Sequence, residues 1–102
     1  MQIRITDQAR EVFKRIGPNQ LIVQIEVKPG NSCSAFMDIE LSLAEFIESE
    51  VVYTDDDVIV LMNTFAKEYI GNSLKIDYKT GFRLDTPNET IAYGMSLQRN
   101  QQ

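Results

Sequence analysis

Four apolar residues near the start of the chain, Ala9, Val12, Phe13 and Ile16, fall at i, i+3, i+4 and i+7, a spacing that lays one stripe along a helix. Thr6 and Asp7 ahead of them supply N-cap chemistry. Gly17-Pro18 stops the helix at about Ile16, because proline cannot continue the hydrogen-bond ladder. Before it, Ile3 and Ile5 alternate with polar residues as a short edge strand does. After it, Leu21, Val23, Ile25 and Val27 alternate along a half-buried strand. Lys28-Pro29-Gly30-Asn31 reads as a type II turn, and a second strand from about Ala35 to Leu43 completes a hairpin.

The alternation breaks at Ala44 to Ser49, a bend or a helical turn. Val51-Val52-Tyr53 is strand-like, Thr54 to Asp57 makes an acidic turn, and Val58 to Leu61 is a continuous apolar strand. Asn63 or Thr64 caps a second short helix carrying Phe65, Ala66, Tyr69 and Ile70, closed by Gly71. Leu74, Ile76 and Tyr78 alternate on a further strand, which Lys79-Thr80-Gly81 turns back into Phe82-Arg83-Leu84. Thr90 to Leu97 forms the last strand, where Ile91, Ala92, Tyr93 and Leu97 look built to pack as an ordered strand, and Gln98 to Gln102 frays. Many short strands and two helices in mixed order predict an α+β fold. The expectation is a compact, β-rich domain over residues 1–102, with mostly antiparallel or mixed sheets.

Composition narrows the chemistry. The formal net charge is −5, and apart from Lys14-Arg15 the basic residues are spread singly. Neither nucleic acid nor an anionic membrane surface is therefore an expected partner. The first seven residues have no apolar h-region, no segment is long and apolar enough to span a bilayer, and one cysteine fits a reducing compartment. A cytoplasmic protein is expected.

The chain has no histidine, which removes the imidazole base that Ser/His/Asp and Cys/His systems need. No constellation points to an enzyme. Asp55-Asp56-Asp57 lacks the ligand spacing and glycine of a calcium loop and reads as a solvated turn. Asp38 and Glu40 share a strand face, as polar alternation alone would place them. Cys33 stands apart. Flanked by Asn31, Ser32 and Ser34, it lies in a loop rather than an apolar run, and from its surroundings a working thiol and an inert one are equally open.

The order of these pieces is similar to that of a known family. A Thr-Asp-capped helix, a strand, a loop with Cys33 beside Ser34, another strand, then "DVIVLMNTFAKEYIGNSLKIDY" and "GFRLDTPN" resemble the HesB-like, A-type iron–sulphur carrier family along nearly the whole chain. The resemblance implies a compact β-rich fold with two helices, association as dimers or tetramers, and a role without turnover. Such a protein holds iron or an iron–sulphur cluster and passes it to biogenesis or client proteins. The family's ligands are three cysteines, one in a Gly-Cys-Ser-Gly loop and two in a C-terminal Cys-Gly-Cys. Cys33 matches the first, as a metal and cluster ligand. The other two positions correspond to Tyr93 and Met95 around Gly94, and the flanking loop glycines are Ser32 and Ala35. The resemblance thus implies an iron–sulphur or iron carrier with a reduced ligand set, or a metal-free protein-interaction module on the same scaffold.

Overall fold

A computed structural model describes residues 1–17, 19–29 and 37–99. Its nine strands are β1 (Gln2–Ile5), β2 (Leu21–Pro29), β3 (Met37–Leu43), β4 (Val51–Thr54), β5 (Val58–Met62), β6 (Ser73–Tyr78), β7 (Phe82–Asp85), β8 (Thr90–Met95) and β9 (Gln98–Arg99). Two helices, α1 (Asp7–Ile16) and α2 (Thr64–Ile70), and a 3-10 turn at Glu48–Glu50 complete the set. The strands form two mixed sheets, β1-β6-β7-β8 and β4-β5-β2-β3-β9, with antiparallel pairings in the majority. The α+β architecture predicted from the pattern is the one observed.

Local chemistry accounts for the helices. The Thr6 hydroxyl accepts a hydrogen bond from the Ala9 N–H at 3.3 Å and donates one to Asp77 of β6 at 2.6 Å, so one side chain caps α1 and ties it to the first sheet. Asn63, rather than Thr64, caps α2 by accepting from the Ala66 N–H at 2.9 Å. Gly71 ends that helix with φ of +89°, a conformation glycine adopts without strain.

One core joins both sheets. Ile5, Leu74, Ile76 and Leu84 face inward from the first, Val23, Ile25, Val60 and Met62 from the second, and Ala9, Phe13, Ala66 and Ile70 fill the space from the helices. Phe13 of α1 stacks on Phe82 of β7 with ring centroids 5.1 Å apart, and Tyr78 meets Phe82 edge-on at 5.0 Å. Burying a phenylalanine contributes about 2–3 kcal/mol, and the stack adds roughly 1 kcal/mol. Among the described residues neither helix covers the opposite face of the first sheet, which carries Arg4, Lys75, Asp77, Arg83 and Asp85.

Two features bear on the site. The β2–β3 hairpin runs in register from Val23 opposite Leu43 to Pro29 opposite Met37, so residues 30–36 connect the strands at the Pro29/Met37 end. The turn expected at Lys28–Asn31 lies partly, and Cys33 wholly, outside the described residues; Pro29 itself still pairs as strand. Gln98–Arg99, expected to fray, instead pairs in parallel with Ser42–Leu43. The last strand therefore crosses from the first sheet to the second.

Candidate functional site

The three residues at the Cys-Gly-Cys positions sit at the end of β8, an edge strand of the first sheet. They are not a regular strand. Ala92 lies opposite Leu84 and Met95 opposite Phe82, so Tyr93 and Gly94 together face the single residue Arg83. This is a β-bulge, and Gly94 carries it with φ of +67°. Residues two apart on a regular strand point to one face. The extra residue sends Tyr93 and Met95 to opposite sides instead.

Tyr93 is 80 % exposed and lines a cleft of about 320 Å³ on the open face with Lys79, Arg83 and Thr90. Of the four residues expected to pack as an ordered strand, Ile91, Ala92 and Leu97 lie against the core and Tyr93 does not. Met95 is partly buried against that core, beside Val12 and Ile16 of α1. Gly81 holds the bulge from behind: a Cβ there would lie 2.7 Å from both the carbonyl carbon and the Cα of Gly94. Gly81 thus lets the two backbones touch where its own Cβ would clash, while Gly94 has room for a Cβ and answers only to its positive φ.

The parallel pairing of β9 with β3 sets the direction of approach. The chain enters β9 from the Met37 side of β3, the end where residues 30–36 join. The bulge thus precedes a strand that runs alongside the Cys33 hairpin. As ligands, Tyr93 and Met95 fit a resident cluster poorly: one phenol points to solvent, one thioether packs inward, and neither is a thiolate. Among the described residues no three acidic or thiol side chains converge to hold a metal ion.

The acidic run has a structural task. Arg10 of α1 donates to Asp55 at 2.8 Å and to Asp57 at 2.9 Å, and the Tyr53 hydroxyl donates to Asp55 at 2.6 Å. The backbone N–H groups of Asp57 and Val58 donate to the other Asp55 oxygen at 2.7 and 2.9 Å. Only Asp56 of the three is exposed, so the solvated-turn reading holds for that residue alone. Asp38 and Glu40 are both exposed on β3.

Partial burial pushes the Asp55 carboxyl up, but hydrogen bonds from Tyr53, Arg10 and the two backbone amides outweigh it and hold the group at about 2. In an unfolded chain an aspartate titrates at about 3.9. The folded value is the lower one, so the stabilisation is fully present above about pH 4 and is lost as pH falls toward 2. Urea unfolding at about pH 5 and pH 2.5 should show Asp55 contributing on the order of 1–2 kcal/mol at the higher pH, discounted for partial exposure. Asp55→Asn should remove that part of the acid dependence, and Asp56→Asn should leave it unchanged.

Comparison with known proteins agrees with this architecture. The family model described as iron–sulphur cluster biosynthesis matches residues 1–99. Escherichia coli SufA, involved in biosynthesis of iron–sulphur clusters, superposes with a TM-score of 0.65 at 16 % identity, over 91 % of this chain and 87 % of that one. A candidate Fe-S biosynthesis protein from Lactobacillus salivarius gives 0.62 at 17 % identity, over 97 % and 98 %. An Aquifex aeolicus protein solved by NMR gives 0.56 at 24 %, over 85 % and 96 %. At such identities these likenesses show the fold. No curated protein matches the chain.

Proposed function

Because the chain belongs to the iron–sulphur cluster biosynthesis family, we propose that it acts in cluster delivery as a carrier with a reduced ligand set. Cys33 supplies its one thiolate. The observation that supports this reading is the divided bulge, which turns Tyr93 and Met95 to opposite faces.

Clusters are held chiefly by four cysteine thiolates. Two copies of the chain bring two Cys33 thiols to a shared cargo, and the rest come from a small thiol such as glutathione or from the receiving protein. A cargo held this way exchanges ligands readily, as handing it on requires. The protein works without turnover, in the reducing cytoplasm, with biogenesis and client proteins as partners and with neither nucleic acid nor membrane in its role.

Anaerobic reconstitution with iron and sulphide in the presence of glutathione should give visible charge-transfer absorption. Cys33→Ala should abolish it. A wild-type protein that stays colourless with and without added thiol would overturn the carrier reading. The second reading, a metal-free interaction module, is favoured by one observation: the tail positions are built into an ordered strand with Met95 against the core. It expects partner binding that Cys33→Ala does not alter.

A further inference from the structure

The open face of the first sheet differs in charge from the rest of the molecule. Arg4, Lys75, Lys79 and Arg83 stand on it or at its rim against Asp77 and Asp85. Four cations and two carboxylates leave +2 here, so with a total of −5 the remaining chain carries −7. The carboxylates are already engaged. Asp85 pairs with Arg83 at 3.1 Å and Lys75 at 3.8 Å, and Asp77 accepts from the Thr6 hydroxyl and the Tyr78 N–H. Arg4 and Lys79 are exposed and form no ion pair among the described residues.

Two clefts lie on this face on either side of the Arg83–Asp85 pair. One, about 270 Å³, is lined by Arg4, Lys75 and Pro87; the other is the Tyr93 cleft. The bulge that divides Tyr93 from Met95 presents the phenol ring here almost fully to solvent, and such a ring beside a cation is the type of group that anchors interfaces. From β1 to β8 the sheet is three strand spacings wide, about 14 Å, the span of four to five extended residues.

We propose that this face docks an acidic, extended segment of a partner protein, with an apolar residue of that segment against Tyr93 and its carboxylates on Arg4 and Lys79. Charge complementarity selects the occupant. A polypeptide places a few carboxylates at discrete points, while a nucleic acid brings a continuous row of phosphates that the surrounding −7 repels. The proposal does not depend on any cargo held at Cys33.

A fluorescein-labelled peptide about eight residues long, with glutamates and one leucine at every second position so that they share one face and serine between them, serves as the probe for the full chain. Saturable binding is expected, with amide shifts confined to β1, β6, β7 and β8. Tyr93→Ala and the pair Arg4→Glu/Lys79→Glu should each weaken it about fivefold or more. The pair Lys14→Glu/Arg15→Glu, an equal charge change at exposed positions of α1, should weaken it much less. All these side chains are exposed, and thermal unfolding confirms that each variant is folded. Equal weakening by the two charge-reversal pairs, shifts spread beyond the sheet, or no saturation would overturn the proposal. So would tighter binding of oligothymidylate to the same face, which would make nucleic acid the occupant.

Discussion

Gly81→Ala is expected to cost about 3 kcal/mol of stability, at the upper end for overpacking, because the added carbon meets backbone rather than a side chain that can turn aside. The carbonyl carbon and Cα of Gly94 stand 2.7 Å from where that Cβ must go. Gly94 is fixed in turn by the Phe82–Met95 pairing and by its own positive φ. Relief would require β8 to move away from β7. Gly94→Ala makes the contrasting control, since a Cβ there meets nothing within 4 Å and bears only the conformational cost, about 1 kcal/mol. For a domain of this size the two variants should differ in thermal midpoint by roughly 8–16 °C. Equal midpoints would show that the Gly81–Gly94 contact is not what holds the bulge.

The second large effect concerns cargo. Tyr93→Cys should lengthen the lifetime of a reconstituted cluster by about tenfold or more, because it adds a thiolate at an exposed position of the family's tail motif. Met95→Cys should bring no such gain. Its side chain packs beside Val12 and Ile16, so the new thiol would face the core, and the lost volume should cost about 1 kcal/mol or more. Decay of the visible absorption on exposure to a chelator measures both. A longer lifetime from Met95→Cys alone would mean that the bulge rearranges when cargo binds.

Much of the architecture follows from side-chain periodicity. The stripe of α1 and its Thr6 cap, the buried face Val23-Ile25-Val27 and the hairpins β2–β3 and β6–β7 are all written locally, in spacing and turn residues. The parallel pairings of β1 with β6 and β2 with β5 are not, since a period of two tells which face is buried but neither the neighbour nor its direction. The acidic turn was legible as a turn only; Arg10, which neutralises it, lies 45 residues away in the chain from Asp55. At the candidate site, the apolar run from Thr90 to Leu97 reads as a strand but leaves the direction of Tyr93 open. The signal for its outward turn was Gly94 within a strand pattern, a common mark of a bulge. The two-residue β9 is too short for any periodicity to reveal, and its partner is fixed only by tertiary structure.

The partnership of the first strand with the sixth also governs the order in which the protein can be made. On a ribosome, Gln2–Ile5 emerges well before its hydrogen-bonding partners Ser73–Ile76. The second sheet can assemble β4, β5, β2 and β3 once residues 21 to 62 are free. The β1 strand is without that partner until Ser73–Ile76 have followed it out. The first sheet therefore cannot close on β1 until the strands β2 to β5 of the second are already free.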